Sequence, residues 1–224
     1  MSMIDLDQST VRELNQRLHQ QDVIQTQWQI KNPRGKHNIA VGVMHPATIH
    51  IDGHVGYYCG GMNQLATLNI NGNAGSGVAE NIMSGRVHIK GNASQYAASS
   101  GHGGLVVIEG DASSRCGISM KGVNIVVGGS VGHMSAFLAQ KGCLVVCGDA
   151  GENLGASLYE AVIYVRGKVS SLGEACIEKP MHLEHINQLQ ALLIQAGINA
   201  NPTDFRRYGS TRQHYHFYSA ALNK

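Results

Sequence analysis

The amino-acid sequence predicts an all-β protein, a single right-handed parallel β-helix of about seven turns with a helix at each end and a C-terminal tail. Three observations support this class. The 224 residues include 28 glycines, and only 14% are charged, which is atypical of a helical bundle or a disordered chain. A glycine recurs every 19 residues. All four prolines lie outside the repeated segment, as expected where backbone N–H groups bond to neighbouring strands.

Each 19-residue unit contains one strand and one corner. The recurring glycines are Gly53, Gly72, Gly91, Gly110, Gly129, Gly148 and Gly167. Two and four positions before each stands Ile, Leu or Val, the alternation of a strand with one buried face. Stacking the units in parallel pairs the strands, and the crossover rule makes the coil right-handed. Glycine is expected at the corner because positive φ, or close packing of successive turns, excludes a Cβ.

Three segments follow from this pattern. They are 1–48, with a helix and entry strands; 49–176, the β-helix; and 177–224, with a helix and an aromatic, basic tail. Thr10 and Glu13 have the spacing of a capping box, which predicts the first helix. The segment after Pro180 has an apolar stripe that ends at Gly197, which predicts the second. We expect both helices to cover end turns, whose unpaired edges would otherwise promote aggregation.

The last turns carry apolar side chains on their outward face. These are Val107, Val126, Val145 and Tyr164, each three residues before a recurring glycine. Such a stack is rarely left in water, so either the C-terminal helix or a partner covers it. We favour the helix because its own apolar stripe must also be buried.

The reactive residue types form no catalytic or metal-binding pattern. Cys59 and Cys116 lie three turns apart, and Cys143 and Cys147 lie four residues apart on one strand, which favours reduced, buried thiols. The 12 histidines lack carboxylates or cysteines at ligand spacing. Residues 128–132 match G-x-S-x-G but lack the strand–turn–helix context of a nucleophile. We therefore predict no catalytic residue, metal or cofactor on this chain.

Aromatic and arginine side chains indicate contacts with protein partners. The candidates are Tyr57, Tyr58, Arg115, Phe205, Arg206, Arg207 and Tyr208. The tail at 205–218 is rich in both residue types, and it either docks on a partner or packs along the rod. A net charge of +2 without long basic runs argues against nucleic acid. The sequence shows neither a bilayer-length apolar stretch nor a signal peptide, so we expect a cytoplasmic protein without membrane contact.

The repeated GxxGxxxG element, complete at 53–60 and 148–155, resembles the C-terminal β-helix (GXGXG) domain of the glutamate synthase large subunit. One of the subunits of formylmethanofuran dehydrogenase has a related solenoid. The strings DGHVGYYCGGMN, GVAENIMSG and GSVGHMSAFLAQ, on a free-standing chain, are most similar to the B-subunit family of N-methylglutamate synthase, also called methylamine–glutamate N-methyltransferase. This similarity runs from about residue 5 to 212.

That resemblance implies a scaffold subunit of a split glutamate synthase. Its partners would be a class II glutamine amidotransferase-like subunit and an FMN-binding glutamate synthase-like subunit with an iron–sulfur cluster. The complex would convert methylamine and L-glutamate to N-methyl-L-glutamate and ammonia. No catalytic residue of the family maps onto this chain. The alternatives are a β-helix subunit of another glutamate synthase-like or formylmethanofuran dehydrogenase-like complex, and a stand-alone enzyme using Tyr57, Arg115 or His133 in a groove.

Overall fold

The computed structural model describes residues 1–20 and 26–211, which form a parallel β-solenoid with two helices. The strands are β1 Ser2–Asp5, β2 Gln27–Lys31, β3 Thr48–Asp52, β4 Thr67–Ile70, β5 Arg86–Ile89, β6 Leu105–Ile108, β7 Lys121–Val127, β8 Lys141–Val146, β9 Val162–Val165, β10 Cys176–Lys179 and β11 Arg206–Ser210. The helices are α1 Val11–Leu18 and α2 Leu183–Ala196, with a 3₁₀ turn at Pro202–Asp204. All these strands belong to one sheet, in the order β1-β2-β3-β4-β5-β6-β7-β8-β9-β11-β10.

The strand register confirms the 19-residue turn. Ile49 pairs with Leu68, Leu68 with Val87, and the same step continues to Ile163 on β9. A second column of parallel bridges runs from Val55 to Val169, two residues after each recurring glycine. The main apolar core lies along both columns and is filled largely by their Ile, Leu, Val and Ala side chains. Strands β1 and β2 continue the ladder before the first repeat.

Close packing, and not positive φ, explains most of the recurring glycines. Among them only Gly53 has a positive φ, of +136°. A Cβ on Gly91 would lie 2.1 Å from the Asn73 side-chain oxygen, and one on Gly110 would lie 2.1 Å from that of Asn92. Either Cβ would force the side chain of the preceding turn out of place, so close packing between turns favours glycine at these positions.

Both predicted helices are present. Thr10 accepts the N–H of Glu13, and the Glu13 carboxylate accepts the N–H of Thr10, which confirms the capping box of α1. Helix α1 buries Leu14 and Leu18 in the main core. Helix α2 ends at Gly197, which adopts the left-handed conformation with φ 73°. These contacts place α1 against the N-terminal turns of the rod.

Helix α2 covers the outward apolar stack, as predicted. Val107, Val126, Val145 and Tyr164 are fully buried in a second core with three leucines of the helix, Leu189, Leu192 and Leu193. The Tyr164 hydroxyl donates to the side-chain oxygen of Gln188, 2.7 Å away. The chain thus covers its own apolar surface.

The C-terminal segment closes the sheet at the far end of the rod. Strand β11 pairs antiparallel with β9 on one side and with β10 on the other. This part of the predicted tail therefore packs along the rod, whereas its residues 212–218 lie outside the described range. Within residues 1–20 and 26–211, no helix is long and apolar enough to cross a membrane.

Candidate functional site

A ladder of side-chain hydrogen bonds fixes one corner of the rod and was not predicted from the sequence. The acceptors follow the recurring glycines: His54, Asn73, Asn92, Asp111, Ser130 and Asp149. Each accepts the backbone N–H of the equivalent residue one turn later, over 2.7–3.0 Å. The signal was available in the sequence, since an acceptor side chain recurs with the 19-residue period. These polar groups have a structural role.

Ser130, in the G-x-S-x-G match, belongs to this ladder. Its backbone N–H donates to Asp111 Oδ1 over 2.7 Å, and its hydroxyl accepts the N–H of Asp149 over 3.0 Å. The motif lies at a solenoid corner instead of the sharp strand-to-helix turn that exposes a nucleophile. Its serine is therefore positioned to stabilise the corner.

The five cysteines are free and buried. Burial raises the pKa of Cys59 and of Cys116 to about 12, and that of Cys143 and of Cys176 to about 11, so these thiols stay protonated at neutral pH. Metal ligation requires the thiolate. No group of three or more His, Cys, Asp or Glu side chains in the described ranges is arranged to hold a metal ion.

Tyr57, Tyr58 and Arg115 lie along one surface of the rod. We call this surface the aromatic ridge; it also includes His37 and Tyr96. They stand at adjacent positions of the repeat on turns joined by backbone hydrogen bonds, such as Tyr58 N–H to Ser76 O. Tyr57 is 50% exposed, and its ring stacks on that of His37 with 3.8 Å between centroids. The N–H of Tyr57 donates to His37 Nδ1 over 3.1 Å, which links the two side chains to one place on the surface.

The other side chains of the aromatic ridge are positioned by backbone conformation and by contacts with each other. Tyr58 adopts φ 61°, and its ring fills the space that a Cβ on Gly61 would need. The Arg115 guanidinium lies 5.8 Å from the ring centroid of Tyr96, a cation–π distance. Tyr96 was not among the predicted contacts, although it has the same position in the repeat as Tyr58 and Arg115. An exposed tyrosine beside half-buried aromatic and arginine side chains suits a protein interface.

The candidates near the C-terminus do not join this ridge. Phe205 and Tyr208 are buried in the chain's own cores. Arg206 donates to the carbonyl of Gly167 over 2.7 Å, and Arg207 donates to the carbonyl of Pro180 over 2.9 Å. These residues hold the closing strands together, and partner contact through the two arginines stays a prediction.

A second surface, the methionine patch, consists of Met44, Met62, Leu65 and Met83. These side chains are 44–56% exposed. Backbone hydrogen bonds join their segments on successive turns, from Gln64 N–H to Val43 O and from Met83 N–H to Asn63 O. This patch was not predicted from the sequence because the mid-turn residues follow no apolar alternation. Exposed apolar side chains on neighbouring turns are typical of a contact surface.

The fold and these surfaces define a β-solenoid whose exposed chemistry suits contacts with other proteins. The model of the GXGXG motif family matches residues 7–200 of the chain. The chain is 54% identical over 220 residues to Protein GlxC of Rhizobium meliloti (strain 1021), covering 97% of this chain and 96% of that relative. The chain therefore belongs to the GXGXG family, a glutamate synthase-like family, as its resemblance implied.

Proposed function

We propose that this chain is the non-catalytic scaffold subunit of a split glutamate synthase-like complex, namely N-methylglutamate synthase. The observation that carries this proposal is the division of roles among its side chains. Thiols and the motif serine are buried or engaged in the corner ladder. The exposed or half-buried groups, in contrast, include the aromatic, arginine and methionine side chains of two surfaces.

The rod has the mechanical properties of a spacer. Nine parallel strands, β1 to β9, follow each other in sequence order. At about 4.8 Å per strand they span about 40 Å. Backbone ladders and the side-chain ladder connect successive turns, so the distance between bound partners would be held constant.

The partners we propose are an amidotransferase-like subunit of class II and an FMN-binding glutamate synthase-like subunit. FMN and an iron–sulfur cluster would reside on the latter, consistent with the buried, protonated cysteines of this chain. The complex would form N-methyl-L-glutamate and ammonia from methylamine and L-glutamate. The aromatic ridge and the methionine patch occupy different positions of the repeat, which allows two partners to bind the same rod.

Co-expression of the three subunits tests this function. The tagged scaffold should retain both partners at moderate salt, and only the three-subunit complex should form N-methylglutamate. Tyr57→Ala with Arg115→Ala should weaken retention of a partner, whereas the exposed control Lys168→Ala should not. Elution of the scaffold alone would contradict the proposal. Turnover of methylamine and glutamate by the isolated chain would favour a stand-alone enzyme, and conversion of another amine by the complex would reassign the reaction.

A further inference from the structure

A further groove lies near the C-terminal end of the rod and belongs to neither surface described above. Its volume is about 670 Å³. Its lining includes Ser119, Lys121, Leu138, Gln140, Lys141 and Tyr159. We call it the lysine groove. It is wide and open, whereas sites for small ligands enclose most of the ligand surface. Its shape therefore suits a segment of a macromolecule.

Two lysines face each other in this groove. The pairing of β7 with β8 shifts register between Lys121 and Asn124, and the shift places Lys121 directly opposite Lys141. Both side chains are exposed. Parallel strands are about 4.8 Å apart, and like charges directly opposite each other are destabilising. The ion pairs found across the described part of the chain involve neither lysine.

The backbone after each lysine allows the two strands to approach closely at this point. Gly122 has φ 149°, and a Cβ there would lie 2.3 Å from the carbonyl oxygen of His102. Gly142 has φ 101°, and a Cβ there would lie 2.2 Å from the carbonyl oxygen of Val123. The glycine after each lysine thus permits a close approach that other residues would prevent. Register shifts of this kind are frequent next to functional sites.

The groove combines this positive charge with apolar surface. The side chains of Leu138 and Tyr159 are 37% and 41% exposed. Glu160 contributes one carboxylate to the lining, so two ammonium groups outnumber the negative charge. An occupant with a carboxylate and a neighbouring apolar side chain would complement this surface.

We propose that the lysine groove binds an acidic segment of a partner subunit. An Asp or Glu carboxylate of that segment lies between the Lys121 and Lys141 ammonium groups, and an adjacent apolar side chain packs on Leu138 and Tyr159. The inference rests on the proposed scaffold function. It adds a third contact surface and specifies the chemistry of the partner that binds there.

Charge reversal tests the proposal in the co-expressed complex. The variant Lys121→Glu with Lys141→Glu should weaken binding of one partner by about tenfold or more at low salt, because like charges at an interface oppose association. The matched control, Lys90→Glu with Lys168→Glu, reverses two exposed lysines outside the groove and should change the affinity by less than about twofold. Far-UV circular dichroism and thermal melting of the isolated variants confirm that both fold.

The outcomes separate the two proposals. If the wild-type scaffold binds its partners and the double variant binds them equally well at every salt concentration, the lysine groove is not a docking site. If the wild-type scaffold binds no partner, the scaffold function itself fails, and this inference fails with it. A third result would also overturn the inference: thermal stabilisation of the isolated wild-type chain by L-glutamate, lost in the double variant, would assign the groove to a small carboxylate.

Discussion

Replacing Gly110 by alanine should destabilise the rod because the new Cβ would collide with two groups of the preceding turn. The new Cβ would lie 2.1 Å from Asn92 Oδ1 and 3.0 Å from the carbonyl oxygen of Gly91. The Asn92 side chain would have to move away and give up the hydrogen bond that it accepts from the N–H of Asp111 at 2.8 Å. The carbonyl of Gly91, in contrast, belongs to the backbone ladder and has little freedom to move.

The expected loss of unfolding free energy combines two effects. Losing the hydrogen bond to Asp111 costs about 1 kcal/mol. Crowding against the Gly91 carbonyl adds about 1–3 kcal/mol, the range for overpacked sites. We therefore expect Gly110→Ala to lower the free energy of unfolding by about 2–4 kcal/mol.

Urea denaturation of the isolated chain, followed by far-UV circular dichroism, measures this loss. The control is the same substitution in an Asn92→Ala background, where the colliding side chain is absent. There Gly110→Ala should cost about 1 kcal/mol less, which a double-mutant cycle detects as coupling. Equal costs in both backgrounds would refute the explanation that side-chain packing between turns requires glycine at this corner.

Three further predictions concern the ends of the rod and its thiols. Thr10→Ala removes the capping box of α1 and should lower the free energy of unfolding by about 1 kcal/mol in urea titrations, whereas Thr10→Asn should restore most of it. Leu193→Ala leaves a cavity between α2 and the sheet and should cost about 2–5 kcal/mol and increase binding of a hydrophobic dye; unchanged stability would show that α2 is not anchored there. Cys59 and Cys116 should resist a thiol reagent at pH 8 until the chain unfolds, because burial raises the pKa of each to about 12; rapid labelling of the native protein would contradict their burial.

The strands and helices could be predicted because local patterns encode them. Alternating Ile and Val side chains and a constant spacing are sufficient to align strands such as β4 and β5. The left-handed residues could not be predicted. Tyr58 and Arg115 adopt positive φ of 61° and 59°, against the preference of their residue types. Hydrogen bonds between turns, such as Arg115 N–H to His133 O, stabilise these conformations and are invisible in a single repeat.

The candidate surfaces also differ in how far the repeat predicts them. The sequence predicted Tyr57, Tyr58 and Arg115 by residue type alone, although the repeat also fixes their relative positions. The methionine patch and the lysine groove depend on how the irregular part of each turn folds, and the pairing of Lys121 with Lys141 depends on a register shift. The burial of Phe205 and Tyr208 depends on an antiparallel strand that returns from outside the repeat. Repetition therefore predicts the regular surfaces, and departures from it produce the others.

The position of β11 also sets the order in which the last strands can join the sheet. The ribosome makes β10 before β11, yet in the sheet β11 separates β10 from β9. While the chain is being translated, its earlier turns can stack as they emerge, whereas β9 keeps an open edge until residues 206–210 arrive. A chain truncated before residue 206 would keep the edge of β9 unpaired and prone to aggregation. Chaperones and proteases could recognise such a chain by this exposed edge.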